Sequence, residues 1–176
     1  DYLASLELKM TIFENKESIV PRMSQMSQKT NQFNLTTRRY TEGDIQNFIN
    51  DSNSDVYAFS VSDKFGESGI TGLSIVTANG STEMAEIDTL LMSCRVIGRN
   101  IEYVFMDYLI GKIEGKKVTN LKAKYIKTIK NEQVEEFFDR CSFGLIDEDN
   151  SGRNYTLDIS NYEPKQLNYI EVKYGG

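Results

Sequence analysis

Residues 93–100 read S-C-R-V-I-G-R-N, directly after the apolar run Leu90, Leu91, Met92 and directly before a stretch with helical periodicity. A strand, a basic turn and a helix start aim main-chain N–H groups, and the positive end of the helix dipole, at whatever occupies the turn. Phosphates suit such a place. Gly98 allows close backbone approach to an anion, and Arg95 and Arg99 add charge-assisted donors. Read for chemistry, this is a diphosphate-binding turn; read for structure, it is a tight turn with solvated arginines. Cys94 opens it beside Arg95 and close to a helix start, surroundings in which cysteines act as nucleophiles. It is a candidate to hold an acyl group as a thioester, against the alternative of a small buried residue. Glu86 and Asp88 stand two apart on the preceding strand, which places both on one face with Leu90 and Met92. A carboxylate on that partly apolar face is a candidate general base; paired or solvated strand carboxylates are the competing reading.

Composition narrows the chemistry. None of the 176 residues is a histidine, which removes Ser-His and Cys-His catalysis and most zinc and non-haem iron sites, so no metal is expected. Cys94 and Cys141 are too few for a disulfide framework, and Cys141 falls on an apolar helical stripe as a core residue would. The net charge of −6 speaks against nucleic acid as a partner. The charge is uneven, however. Seven lysines between 112 and 130 face one acid, Glu114, a local balance of +6 that leaves −12 on the rest. A basic patch on an acidic protein suits phosphate-bearing ligands or an acidic partner, and equally a solvated lysine face. No apolar run has the length to cross a bilayer and no signal-peptide pattern opens the chain, so no membrane contact and a cytoplasmic location are expected. The first residues, D-Y-L-A-S-L, read as continuing structure, the mark of a module excised from something longer.

Elements that would position these residues follow from periodicity. Residues 6–12 alternate as a half-buried strand does. Ser18 can cap a helix that tolerates Pro21 in its first turn, with Ile19, Met23 and Met26 inward. A polar loop carrying Asn31, Asn34, Thr36, Arg38 and Arg39 leads to the capping box T-E-G-D at 41–44, with Ile45, Phe48 and Ile49 buried behind it. Residues 56–61, 70–76 and 84–92 read as three antiparallel strands, with turns at 63–69 and at Asn79-Gly80. After the turn, Ile101, Val104, Phe105, Tyr108 and Leu109 form one helical stripe. A strand at 121–125 follows, then a helix from Asn131 with Val134, Phe137, Phe138 and Cys141 on one face. An acidic turn at 147–152 precedes a strand at 155–159, and 169–172 could add an edge strand. This is one α/β domain over 1–176: a mixed sheet with helices on both faces.

That element order, with R-x-x-G-x-x at 95–100 closing the fourth strand, resembles the GNAT acyltransferase superfamily. N-x-x-V-x-x-F-F at 131–138 resembles its later Asn-bearing helix. The segments Q-K-T-N-Q-F-N-L-T-T-R-R-Y (28–40), A-E-I-D-T-L-L-M-S-C-R-V-I-G-R (85–99) and Y-I-K-T-I-K-N (125–131) resemble more specifically the C-terminal module of FkbH-like proteins, over nearly the whole chain. The GNAT resemblance implies a mostly antiparallel sheet of six to seven strands with about four helices, and coenzyme A, acyl-CoA or carrier-bound phosphopantetheine as ligand. Main-chain groups of Leu91, Met92 and Ser93 would face the pantetheine arm. The N–H groups of Val96, Ile97, Gly98, Arg99 and Asn100 would face the diphosphate, and Asn131 the far end of the arm. The loop of Asn31, Asn34, Thr36, Arg38 and Arg39 would border the acceptor. A base on the strand of Glu86 and Asp88 is common in the family, but its usual tyrosine proton donor is replaced here by Phe138. The FkbH-like resemblance implies a HAD-type domain upstream in the same chain and an acyl carrier protein as partner. There a glyceryl group from bisphosphoglycerate is loaded on the carrier, on the way to methoxymalonyl-type polyketide units. It leaves two readings of this module: an acyl or glyceryl transferase, or a non-catalytic module that docks the carrier's arm for the HAD domain.

Overall fold

A computed structural model describes residues 1–78 and 83–175. In chain order the elements are α1 (Tyr2–Ser5), β1 (Leu8–Glu14), α2 (Val20–Lys29), α3 (Glu42–Asn50), β2 (Ser54–Asp63), β3 (Gly66–Thr77) and β4 (Met84–Met92). They continue with α4 (Ile101–Glu114), β5 (Asn120–Ile126), α5 (Phe137–Arg140), β6 (Gly144–Asp149), β7 (Gly152–Asp158) and β8 (Ile170–Gly175). The strands form one sheet in the order β6-β7-β5-β4-β3-β2-β1-β8. All pairs are antiparallel except β4 with β5 and β1 with β8. One face buries α4, α5 and the tail behind residues such as Tyr57, Phe59 and Phe105; the other buries α2 and α3 behind Ala58, Leu73, Ile75 and Leu91. Among the described residues no helix is long and apolar enough to cross a membrane.

The α/β mixed sheet is as expected, but the described residues form eight strands and five helices rather than six to seven and about four. The additional strand is β6. All six of its residues are exposed, so it lacks the alternation that burial imposes, and its Asp147, Glu148 and Asp149 read as turn residues. Pairing with β7 alone makes it a strand. The helix expected from Asn131 breaks into a single 3-10 turn, Glu132–Val134, and the four-residue α5, neither with a side-chain N-cap. The capping box opening α3 is formed: the Thr41 hydroxyl accepts from the Asp44 amide, and the Asp44 carboxylate accepts from the Thr41 amide. The Asn79-Gly80 turn lies outside the described residues.

Two irregularities of β4 shape the site. Ile75 on β3 pairs with Thr89 whereas Val76 pairs with Ile87, which leaves Asp88 as the extra residue of a β-bulge. A bulge shifts the side-chain alternation by one. Ala85 and Ile87 below it therefore share the α4 face with Leu90 and Met92 above it, and Leu91 turns to the α2 face. The expectation that Glu86, Asp88, Leu90 and Met92 share one face is corrected accordingly. Secondly, β4 and β5 pair only between Met84 and Ile87 on one side and Asn120 and Ala123 on the other. Beyond that point they part, and a gap opens toward the C-terminal end of β4.

Candidate functional site

The gap between β4 and β5 is filled by the chain itself. Segment 33–35, from the loop after α2, bridges antiparallel to β4 at Asn34 and Leu91. The Leu35 amide donates to the Leu90 carbonyl at 3.1 Å, and the Met92 amide donates to the Phe33 carbonyl at 3.0 Å. On the opposite side the Ile126 amide of β5 donates to the Leu35 carbonyl at 2.8 Å. Phe33 and Leu35 are buried in the core on the α4 side. Asn131 completes the closure. Fully buried, its Nδ2 donates to the carbonyls of Asn34 (3.0 Å) and Ile126 (2.9 Å), while its Oδ1 accepts from the Tyr125 hydroxyl (3.1 Å) and the Thr128 amide (2.8 Å). Phe33 meets Phe137 edge-on at 5.5 Å, and Tyr103 of α4 stacks on Phe137 at 5.8 Å, so an aromatic wall lies behind the segment.

Asp88, left over in the bulge, anchors the same loop. Its carboxylate accepts from Arg38 Nη1 at 2.6 Å, the Tyr40 hydroxyl at 2.6 Å and Thr89 Oγ1 at 2.8 Å, and its carbonyl accepts from Thr36 Oγ1. Burial, then the hydrogen bond and charge of Asp88, push the Tyr40 hydroxyl far above its ordinary value. With three donors on its oxygens, Asp88 is a structural anchor rather than an open base. Glu86 is half-buried on the paired half of β4, opposite Thr77 and Lys122, and at the other end of the strand from Cys94. The structure does not bring the two carboxylates and the thiol together.

The loop residues expected at an acceptor are bonded mainly to the end of α2, to their own loop and to Asp88. Arg39 donates to the carbonyls of Ser27 and Thr30 and to Asn31 Oδ1. Asn34 donates to the Thr30 carbonyl and accepts from the Thr37 amide. Thr36 and Arg38 are held on Asp88.

The turn after β4 is a 3-10 turn, Cys94–Val96, with Ser93 Oγ capping the Arg95 amide. Helix α4 starts only at Ile101, so Cys94 does not stand at its mouth. Of the expected phosphate donors, the amides of Val96 and Ile97 close back on the carbonyls of Ser93 and Cys94; the Ser93 amide, expected at the pantetheine arm, donates to the Thr71 carbonyl. The amides of Gly98, Arg99 and Asn100 have no intrachain acceptor among the described residues. Gly98 has a φ of +91°, a left-handed conformation that a side chain would strain. Arg99 pairs with Asp63 at 3.0 Å; the Phe65 amide and then Arg99 hold the Asp63 carboxyl below the usual carboxylate range. Asn100 donates to the Tyr169 hydroxyl at 2.8 Å.

One open cleft adjoins this turn. About 380 Å³ in volume, it is lined by Arg22, Met26, Lys29 and Asn31 on one side and by Ser93, Cys94 and Arg95 on the other. Cys94 is an exposed free thiol, not the buried residue of the alternative reading. Lys29 and Arg95 have no carboxylate partner among the described residues, and Arg22 bonds only to the Ile70 carbonyl and Gln25. Arg22 and Lys29 were not among the expected site residues. Their spacing of seven on one helix, which puts them on one face, was the available signal. Cys141 is buried in the core as expected, and burial pushes its thiol up to about 12.

No protein-family model matches this sequence. No curated protein matches it either. Solved structures do. A mutant form of the spermidine/spermine N-acetyltransferase SpeG from Vibrio cholerae superposes with a TM-score of 0.64 at 12% identity, over 87% of this chain and 95% of that one. The GNAT domain of S. lividans PAT superposes with a TM-score of 0.63 at 10% identity, over 84% and 89%. The fold is the GNAT fold. Rv2747 of Mycobacterium tuberculosis, solved in complex with CoA and NLQ, has a TM-score of 0.62 at 12% identity, over 81% of this chain and 95% of that one.

The resemblance read from the sequence implies coenzyme A or another pantetheine thioester as ligand. Within the β4–β5 gap this chain's residues do not fit the arm. The Met92 amide and Leu90 carbonyl are bonded to segment 33–35, the Ser93 amide to Thr71, and all of Asn131's polar atoms to the chain. At the Cys94 cleft the donor set is different. There, three cations and an exposed thiol suit the phosphate and the acyl end of a thioester.

Proposed function

We propose that this chain is the acyltransferase-type module of an FkbH-like glyceryl transferase and works in the open cleft at Cys94. The observation supporting the reading is an exposed thiol sharing a cleft with Arg22, Lys29 and Arg95, whose charges no carboxylate neutralises among the described residues. Such a cleft draws in a substrate that carries phosphate or carboxylate near its acyl carbon. Cys94, its proton released to solvent, attacks the acyl carbonyl. The bond to the departing phosphate oxygen or thiol sulfur breaks, and the acyl group rests on Cys94 as a thioester. Cys94 then yields it to the thiol of an acyl carrier protein. The new thioester bond forms as the Cys94–acyl bond breaks, the carrier thiol loses its proton and Cys94 leaves as thiolate. Arg22, Lys29 and Arg95 hold the anion and orient the carbonyl. Coenzyme A ends in the same thiol-bearing arm as the carrier and supplies the same thioester chemistry. The HAD-type domain upstream is the source of the glyceryl group, and the setting is cytoplasmic.

The second reading, a non-catalytic module that docks the carrier, draws on the filled gap and on Phe138, buried where the family has its tyrosine. One experiment separates the two. In the full-length protein, Cys94→Ala is expected to lower carrier loading by at least about 100-fold, with the acyl adduct on Cys94 lost from the mass spectrum. Unchanged loading by the variant would leave the docking reading in its place.

A further inference from the structure

We infer that segment 33–35 is a built-in occupant of the β4–β5 gap, and that the module admits no thioester arm there. The contacts are those of a strand rather than a lid. The segment bonds to both parting strands, through Leu90 and Met92 on β4 and Ile126 on β5, so it restores the sheet where the two separate. Main-chain amides in such a position are protected from solvent as a sheet interior is, and they exchange only when the surrounding structure opens.

Independent anchors hold the segment at both ends and from behind. Asn131 binds the Asn34 carbonyl from a fully buried position. Thr36, Arg38 and Tyr40 converge on Asp88 in the bulge. Phe33 rests on Phe137, which stacks with Tyr103, and Lys165 of the C-terminal segment lies over the Tyr103 ring. That segment is fixed in turn, since Asp107 of α4 accepts from the Tyr162 hydroxyl and from the amides of Lys165 and Gln166. An arm entering from the α4–α5 side would meet the aromatic wall, and one entering between the strands would meet segment 33–35. Displacing the segment would leave the Met92 and Ile126 amides and the Leu90 carbonyl short of partners and expose Phe33 and Leu35. Any affinity for the vacated gap is reduced by the small fraction of molecules in that open state. The polar residues after α2 thus serve to fasten the closure, and ligand access to this end of β4 is confined to the Cys94 cleft.

The inference is independent of Cys94 chemistry and is tested on the unmodified chain. Amide hydrogen exchange by NMR is expected to show Leu35, Met92 and Ile126 exchanging within about tenfold of the core amides of Leu73 and Ile75. Exchange of these three more than about tenfold faster would show a separately opening gate and overturn the inference. Coenzyme A added to about 1 mM is expected to leave the Leu35, Met92 and Ile126 resonances unshifted. Saturable shifts at those amides, or loss of their protection, would place the arm in the gap and overturn it. Shifts confined to Cys94, Arg95 and Lys29 support it. Carrier loading in the Cys94→Ala protein is read separately, so a failure of either idea is visible without the other.

Discussion

Asn131 provides a decisive perturbation, because its two readings predict opposite results. As the structure has it, Asn131→Ala removes two donations, to the Asn34 and Ile126 carbonyls, and two acceptances, from the Tyr125 hydroxyl and Thr128 amide, at a fully buried position. Each bond is worth about 1 kcal/mol net, and buried partners left unsatisfied add to that, so the loss should be about 4–5 kcal/mol. Domains of this size have roughly 5–15 kcal/mol in total, so the variant should be marginal, with a Tm about 10–15 °C lower. Asn131→Asp sharpens the test. The carboxylate keeps both acceptances but turns an oxygen toward two carbonyls, so at pH 7 it should destabilise at least as much as alanine. Part of that loss should return below about pH 5, as the carboxyl protonates and regains a donor. Urea unfolding of both variants at pH 7 and pH 4.5, followed by circular dichroism, supplies the numbers. If Asn131 instead contacts a ligand, both variants would unfold within about 1 kcal/mol of the parent and only ligand binding would suffer. That result would refute the reasoning.

Asp88→Asn is expected to weaken the Arg38 and Tyr40 anchor and lower stability by about 1–2 kcal/mol, discounted because Arg38 is partly solvated, while carrier loading keeps its rate. A large rate loss at unchanged stability would restore Asp88 as a base. Iodoacetamide at pH 8 is expected to label Cys94 and spare Cys141, whose thiol is buried and pushed up to about 12; peptide mass mapping reads both sites. Stability should also fall on alkaline titration. Cys141, Tyr40, Tyr57, Tyr155 and Tyr162 are all raised in the folded protein, chiefly by burial. Above about pH 9–10 the unfolded chain therefore releases protons that the folded one retains. Stability is then unaffected below that range and declines above it, by up to about 1.4 kcal/mol per pH unit for each titrating group. Urea unfolding at pH 8 and pH 10.5 should show the drop; a flat profile would contradict it.

Local rules were enough for much of this protein. The capping box at Thr41 and Asp44, the stripe from Ile101 to Leu109 and the alternation of Leu121, Ala123 and Tyr125 are set by contacts within a few residues, and each formed as read. The burial of Cys141 likewise follows from its place on an apolar stripe. Features without periodicity were illegible. Strand β6 carries no buried face, and its pairing with β7 is the only cause of its conformation.

The site was settled at long range. The bulge at Asp88 comes from the β3–β4 register, and it alone undid the shared face of Glu86, Asp88, Leu90 and Met92. Asn131 and Asn34 are 97 positions apart, and Thr36 and Asp88 are 52 apart. A polar loop dense in donors looks the same in sequence whether it faces a ligand or fastens itself to a neighbouring strand. Residue order alone established the chemistry on offer: no histidine, a thiol beside an arginine, and a donor-rich loop. How those groups are used emerged in three dimensions, because hydrogen bonds between strands and loops distant in the chain determine which polar atoms remain open to a ligand.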